Sequence, residues 1–286
     1  MTTFSSVDMD WLATLLADVA ASEIMPWFRN LDEGTIEQKT SPIDLVTVAD
    51  VNAERAITAA LGARYPGALV IGEEAVAAEP ALLDGWSQTG RLSFVVDPID
   101  GTFNFASGVA SFGVMLAVVK DGETIAGIIH DPVGKDWIMA ERGSGARLRR
   151  PDGRERALTL SKAPALAAMI GSAAWQYMPE PERSMIARNQ AQCLGNVAYR
   201  CAAQEYRLLA EGHIHFTLYH KLMPWDHLAG ALIQTEAGGH VRRFDGSVYR
   251  PADLDGGLLS TPDEDSWHEL REALWRGESA TGPAWN

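Results

Sequence analysis

Three observations predict an α+β protein. Two helical segments open the chain, a series of apolar, strand-like segments joined by short turns fills residues 92–148, and helices return after residue 154. Helices followed by consecutive antiparallel strands form the α+β pattern.

The first helix is expected to be capped by Ser6. It carries Trp11, Leu12, Leu15, Leu16, Val19, Ile24, Met25, Trp27 and Phe28 at close to 3.6-residue spacing. Residues 30–44 are polar, contain Gly34 and Pro42, and read as a loop or short hairpin carrying Lys39. Thr47 caps a second helix whose apolar positions include Val48, Val51, Ile57, Ala60 and Leu61. That helix ends at Tyr65-Pro66-Gly67, a breaker followed by a turn. Residues 68–71 form a short buried strand that runs into Gly72-Glu73-Glu74, and residues 74–90 lack a pattern and are expected on the surface. Residues 92–96 are the next strand, ending at Asp97-Pro98. Strands at 114–119 and 124–130 turn about Asp121-Gly122, and strands at 137–140 and 146–148 continue the series. The Pro-Asp-Gly turn in residues 149–154 marks the expected boundary between a domain at 1–150 and one at 151–286. Beyond it the spacing predicts a strand near 168–171 and helices near 180–193 and 202–212. A strand at 215–218 follows, then a helix at 225–237 closed by Gly238-Gly239, and a last helix at 263–276.

Composition narrows the function classes. The 286 residues are 47% apolar and 22% charged, which excludes a disordered chain, a collagen-like repeat and a disulfide miniprotein. With 24 basic and 38 acidic residues the net charge is −14, which argues against nucleic acid or an anionic membrane as partner. The two cysteines, Cys193 and Cys201, have no zinc spacing, and so few thiols suit a reducing compartment. The N-terminal stretch lacks a basic segment and carries Asp8 and Asp10 among its apolar residues, unlike a signal peptide. No apolar run approaches the roughly 18–20 residues of a membrane span. The expectation is a soluble, cytoplasmic protein.

Acidic residues gather at three element ends: Gly72-Glu73-Glu74 after a strand, Asp97-Pro98-Ile99-Asp100-Gly101-Thr102 after another, and Pro224-Trp225-Asp226 opening a helix. In the second cluster a proline stiffens the turn, so that Asp97 and Asp100 can face one side with the Ile99 carbonyl between them. Oxygen-only ligands suit Mg²⁺ or Mn²⁺ rather than zinc. If a helix starts near Thr102, the Gly101 and Thr102 amides form an anion site at its positive end. An acidic metal turn beside an amide cradle is what phosphate-ester hydrolysis requires. Taken singly, each residue has a plainer reading: a turn, a helix cap or a surface charge.

Their order along the chain resembles the inositol monophosphatase superfamily, magnesium-dependent, lithium-sensitive phosphatases of sugar, inositol and nucleotide phosphates. The motifs that carry the likeness are Asp44-Leu-Val-Thr-Val-Ala-Asp50, Gly72-Glu73-Glu74, Asp97-Pro-Ile-Asp-Gly-Thr-Phe-Asn-Phe105, Trp225-Asp226 followed by Ala229-Gly230, and Glu236-Ala-Gly-Gly239. The resemblance implies a layered αβαβα sandwich with an N-terminal antiparallel sheet and a smaller C-terminal mixed sheet. It implies two or three Mg²⁺ ions, with Mn²⁺ as a substitute. Glu73, Asp97 and the Ile99 carbonyl would hold the first, Asp97, Asp100 and Asp226 the second, and Glu73 would help hold a third. Asp50 and Thr102 would position and deprotonate the attacking water, with Lys39 nearby on a mobile loop. The Gly101 and Thr102 amides would hold the phosphate. The resemblance also implies a homodimer acting on a small phosphate ester.

The match departs from the inositol-selective pattern at the substrate end. Tyr219 stands where those members carry a glutamate, and Arg200-Cys201-Ala202 stands in place of their Gly-Ser/Thr-Ala stretch. Arg200, His220 and Lys221 are therefore expected to read a second anionic group. The expected activity is hydrolysis of inositol monophosphate or a related phosphate. The alternatives are fructose 1,6-bisphosphate, 3′-phosphoadenosine 5′-phosphate and histidinol phosphate. A non-catalytic phosphate-ligand binder is expected to have lost a metal ligand or Thr102, and a purely structural subunit would have no use for the intact acidic set.

Overall fold

A computed structural model describes residues 5–42, 44–88 and 90–276. Helix α1 (Ser6–Val19) continues through a π turn at Ala20–Ile24 and a 3₁₀ turn at Met25–Trp27. Its cap is Ser5 rather than the expected Ser6: the Ser5 amide and hydroxyl both donate to the Asp8 carboxylate at 2.8 Å. Strands β1 (Ile36–Ser41) and β2 (Asp44–Thr47) make the hairpin that carries Lys39, and α2 (Val48–Arg64) follows, capped by Thr47 as its sequence predicts. Asp8 also accepts from the Tyr65 hydroxyl at 2.7 Å and from Arg64 at 3.0 Å, which fastens α1 to the end of α2.

The larger sheet has seven strands in sequence order: β3 (Leu69–Gly72), β4 (Ser93–Asp100), β5 (Gly113–Lys120), β6 (Glu123–Asp131), β7 (Asp136–Glu141), β8 (Ala146–Arg149) and β9 (Glu155–Leu158). All neighbours are antiparallel except β3 and β4. A parallel pair needs a crossover. Residues 73–92 supply it through α3 (Glu73–Ala78) and two 3₁₀ turns. This segment is not the surface stretch expected from its composition, because Val76 and Trp86 are buried in the core. Strand β4 also outruns its expected end at Asp97 and continues to Asp100. The turn at residues 149–154 joins β8 to β9 within the same sheet, so the sheet runs past residue 150 to Leu158.

The smaller sheet is mixed, in the order β11 (Gly195–Val197), β10 (Ile170–Ala173), β12 (Phe216–Tyr219), β14 (Leu258–Thr261) and β13 (His240–Arg243). Three of its strands, β11, β13 and β14, have no counterpart in the sequence reading. They are only three or four residues long, too short for a period of two to stand out. The remaining helices are α4 (Thr102–Ala106), α5 (Glu182–Asn189), α6 (Ala202–Ala210), α7 (Pro224–Glu236) and α8 (Glu264–Leu274).

Strand alternation sorts the core into layers. Phe94, Val96, Val114, Leu116 and Val118 face α1 and α2 through Leu12, Leu16, Ile57 and Leu61. The opposite face, Val95, Met115, Ala117 and Val119, packs on α6 and α7 through Ala203, Tyr206, Leu228 and Leu232. Phe216, Leu218 and Leu259 of the smaller sheet pack outward on Ile186, Trp267 and Leu270 of α5 and α8. The result is the layered αβαβα sandwich, with the C-terminal end of β4 directed at the start of α6 and α7.

Candidate active site

The acidic residues meet where β4 ends. Asp97 pairs with Met115 and Asp100 with Gly113, so three steps along β4 match two along β5, a β-bulge at Pro98-Ile99. In an unbroken strand, residues three apart point to opposite faces. The bulge cancels that alternation and brings both carboxylates to the α6–α7 side, while Ile99 stays in the opposite core. Asp226, in the first turn of α7, completes the group: carboxylate oxygens of Asp97, Asp100 and Asp226 lie within 4.8 Å of one another.

Each member of the group is fixed. Asp97 Oδ1 accepts the Ile99 amide at 3.0 Å. Asp100 Oδ2 accepts the Ala203 amide at 2.6 Å and the Cys201 thiol at 3.0 Å, which docks the group on the start of α6. Burial, reinforced by Glu73, Asp100 and Asp226, drives the Asp97 carboxyl well above the usual carboxylate range. Burial raises Asp226 in the same way, with Glu73 and Asp100 adding to it. Asp100 is pushed up to about 6, mainly by burial, against the donors on its Oδ2. Three carboxyls that cannot comfortably ionise together in water-poor surroundings are suited to a divalent cation, which removes the conflict. The donor set is all oxygen, which suits a hard cation better than zinc.

Glu73 stands outside this tight group. Its carboxylate accepts from Lys39 at 2.8 Å, and the same ammonium reaches Glu74 at 2.6 Å. Burial disfavours the Lys39 charge, yet the two glutamates hold its pKa above the ordinary lysine value. Burial and Glu73 push Glu74 up to about 7.

Asp50 is buried at the third position of α2, where its Oδ2 accepts the Thr47 amide at 2.8 Å and the Thr47 hydroxyl. Its Oδ1 is 3.1 Å from the Thr102 hydroxyl, which is also 2.9 Å from the Ile99 carbonyl. A hydroxyl has one proton to give, so Thr102 can donate to either. Burial pushes Asp50 up to about 7, against the hydrogen bonds from Thr47 and Thr102. Gly101 precedes α4 with φ of 87°, the left-handed region, and a side chain there would press on the Ser111 carbonyl at 3.0 Å and Cys201 Cβ at 3.2 Å.

The substrate-end residues are held differently. Asn104 donates to the Ser111 carbonyl at 2.8 Å and the Tyr199 carbonyl at 2.7 Å, tying α4 to the segment before α6. Arg200, at φ of 53°, lays its guanidinium over the Phe103 ring at 4.0 Å. Ala202 begins α6 and is buried. Tyr219 is buried, and its hydroxyl donates to Glu205 Oε2 at 2.7 Å. Burial pushes Glu205 up to about 7, opposed by hydrogen bonds from Tyr219 and Ser172.

Two buried acids beside the candidate site escaped the sequence reading, Glu205 and Glu54. Both had a signal. Glu205 lies among Ala202, Ala203, Tyr206 and Leu209 on the buried face of α6, and Glu54 lies with Ala53, Ile57 and Leu61 on the buried face of α2. A carboxylate on an apolar stripe must find partners in the interior. Glu236 of the late motif is a structural residue, accepting the Gly143 amide at 2.8 Å and the Gly145 amide at 2.9 Å.

Comparison with known proteins places this geometry. The inositol monophosphatase family model matches residues 8–277. A Thermotoga maritima protein named fructose-1,6-bisphosphatase/inositol-1-monophosphatase is 30% identical over 242 residues, covering 83% of this chain and 85% of its own. A Bacillus subtilis inositol-1-monophosphatase is 29% identical over 218 residues, 75% of this chain and 78% of its own. The solved structure of a Thermotoga maritima IMPase superposes with a TM-score of 0.76 at 26% identity, covering 93% of this chain and 96% of that one. With its motif order, layered fold and convergent aspartates, the chain belongs to the inositol monophosphatase family of metal-dependent phosphatases and is a phosphoric monoester hydrolase.

Proposed function

We propose that this chain is a Mg²⁺-dependent phosphomonoesterase acting on inositol monophosphate or a related sugar or nucleotide phosphate by attack of an activated water. The observation that carries the reading is the convergence of Asp97, Asp100 and Asp226 within 4.8 Å beside the Thr102–Asp50 contact of 3.1 Å. Asp97, Asp100 and Asp226 would hold two or three Mg²⁺ ions together with Glu73 and the Ile99 carbonyl, whose second lone pair is not needed by Thr102. Bound there, Mg²⁺ supplies Lewis acidity and cancels charge on the phosphoryl oxygens. Mn²⁺ meets the same donors.

The protein's own groups do the rest. The Gly101 and Thr102 amides, at the start of α4, face the phosphate and orient it for in-line attack. Thr102 passes a water proton toward Asp50, whose Oδ1 lies 3.1 Å from its hydroxyl. The Thr47 donors hold Asp50 in place for that transfer. Lys39, 2.8 Å from its carboxylate, orients Glu73 at the edge of the group.

The substrate end favours broad activity over inositol selectivity. A carboxylate accepts two sugar hydroxyls, whereas the Tyr219 hydroxyl is engaged by Glu205. Arg200 brings a planar donor fork suited to a second phosphate or a carboxylate, and the name of the Thermotoga relative supports fructose 1,6-bisphosphate as the alternative substrate. A homodimer, on family likeness, and a cytoplasmic location, on the two free cysteines, belong to the same proposal.

Phosphate release from inositol 1-phosphate, fructose 1,6-bisphosphate, 3′-phosphoadenosine 5′-phosphate and histidinol phosphate tests it. Release from at least one, dependent on Mg²⁺ and abolished by chelation, is expected. No release from any of them, with Mg²⁺ or Mn²⁺ present, would overturn it.

A further inference from the structure

Glu54 is a buried carboxylate that the mechanism does not use. It lies on α2 one turn after Asp50 and is 7% exposed. Its two oxygens accept the Glu74 amide at 2.8 Å and the Ala75 amide at 2.9 Å, the first turn of α3. That turn begins with Glu73, and Glu74 is the second carboxylate gripped by Lys39. The space for the Glu54 carboxylate exists because residue 72 is glycine: a Cβ there would lie 2.2 Å from Glu54 Cδ. Burying a carboxylate is costly unless amides meet both oxygens. Here it meets two, at the one point of the chain where Glu73 leaves the strand.

From this geometry we infer that Glu54 is a positioning residue for Glu73: it clamps the turn between β3 and α3 so that the Glu73 carboxylate is preset toward the aspartate group before any cation arrives. The inference rests on the proposed Mg²⁺ site but concerns the preformed turn. A single helix, α2, thereby carries both the proton acceptor, Asp50, and the clamp, Glu54, four residues apart on one face. Glu54→Gln keeps the shape but turns an NH₂ group toward backbone donors. Gly72→Ala keeps the charge but displaces the carboxylate.

Both variants are expected to weaken Mn²⁺ binding, followed by titration with paramagnetic detection, at least about fivefold. Their kcat is expected to recover toward wild type at high Mg²⁺, because positioning is lost while the proton path through Thr102 and Asp50 is intact. Hydrogen exchange of the wild-type protein gives a test that needs no variant and no turnover. The Glu74 and Ala75 amides should be protected without metal and gain little on adding Mg²⁺. Free exchange of those amides until Mg²⁺ is added, or wild-type Mn²⁺ affinity in both variants, would overturn the inference. A protein with protected amides that releases no phosphate would instead count against the proposed activity and leave the clamp standing.

Discussion

The two ends of the candidate site are built on different terms. At the candidate metal end, Asp97, Asp100 and Asp226 arrive from a bulged strand and a helix start, and their charges conflict. At the substrate end the charged groups already have partners within the protein: Glu205 takes the Tyr219 hydroxyl at 2.7 Å, and Arg200 lies on the Phe103 ring at 4.0 Å. The first arrangement leaves its charges unmatched within the protein. The second is satisfied by itself, so its preference among substrates is a matter of degree, set by one or two exchangeable side chains. Catalysis should therefore be fragile at the metal end and tunable at the substrate end.

The sharpest way to break this contrast is Asp97→Asn. It removes a carboxylate that would serve two ions, and turnover should fall at least about 10³-fold, since charge stabilisation by metal is worth several kcal/mol at about 1.4 kcal/mol per decade. Steady-state phosphate release checks it, and activity within tenfold of wild type would sink the metal assignment. Thr102→Ala tests the neighbouring proton path. It should bind substrate and Mn²⁺ normally and turn over about 10²-fold more slowly. Normal turnover would reduce Thr102 to a helix-start residue.

Two substitutions at the substrate end should behave differently from these and from each other. Tyr219→Phe strands the buried Glu205 carboxylate without its phenol donor, which should lower unfolding free energy by about 1–3 kcal/mol, readable in urea melts. Arg200→Gly suits the left-handed backbone at φ of 53° and should leave stability almost unchanged. It should lower kcat/KM for fructose 1,6-bisphosphate about tenfold relative to inositol 1-phosphate, a difference of about 1.4 kcal/mol. An equal loss for both substrates would show that Arg200 only supports Phe103.

The smallest expected effect lies away from both ends. His130 is buried, and its Nδ1 donates to the Asp136 carbonyl at 3.0 Å. Burial lowers its pKa from 6.5 to about 4. A group whose folded pKa is depressed in this way binds its proton only on unfolding. Its contribution is complete above about pH 6.5 and is lost as pH falls toward 4. His130→Gln should flatten the fall in stability over that window, by at most about 1.4 kcal/mol per pH unit, with kcat/KM unchanged at neutral pH. An unaltered slope would mean that other groups carry the acid sensitivity.

Much of this was legible in the chain. Thr47 announces its helix as a cap, the Asp121-Gly122 hairpin falls where its dipeptide places it, and the DPIDGTFNF turn names the acidic group. These features are local: a cap, a turn or a stiffened peptide depends on residues within one or two turns of itself. Strands β11, β13 and β14 of the smaller sheet were not legible, because such short segments become strands only when neighbours distant in sequence offer their backbones.

At the site the same division holds. The residue types decided that a set of oxygen ligands is available. Only the tertiary structure decided that Asp97 and Asp100 share a face, because the bulge against β5 that undoes their alternation is a property of a strand pair. It alone paired Tyr219 with Glu205 and placed Glu54 beneath Gly72, because a buried carboxylate takes its donors from whatever backbone and side chains the layers bring within about 3 Å of it.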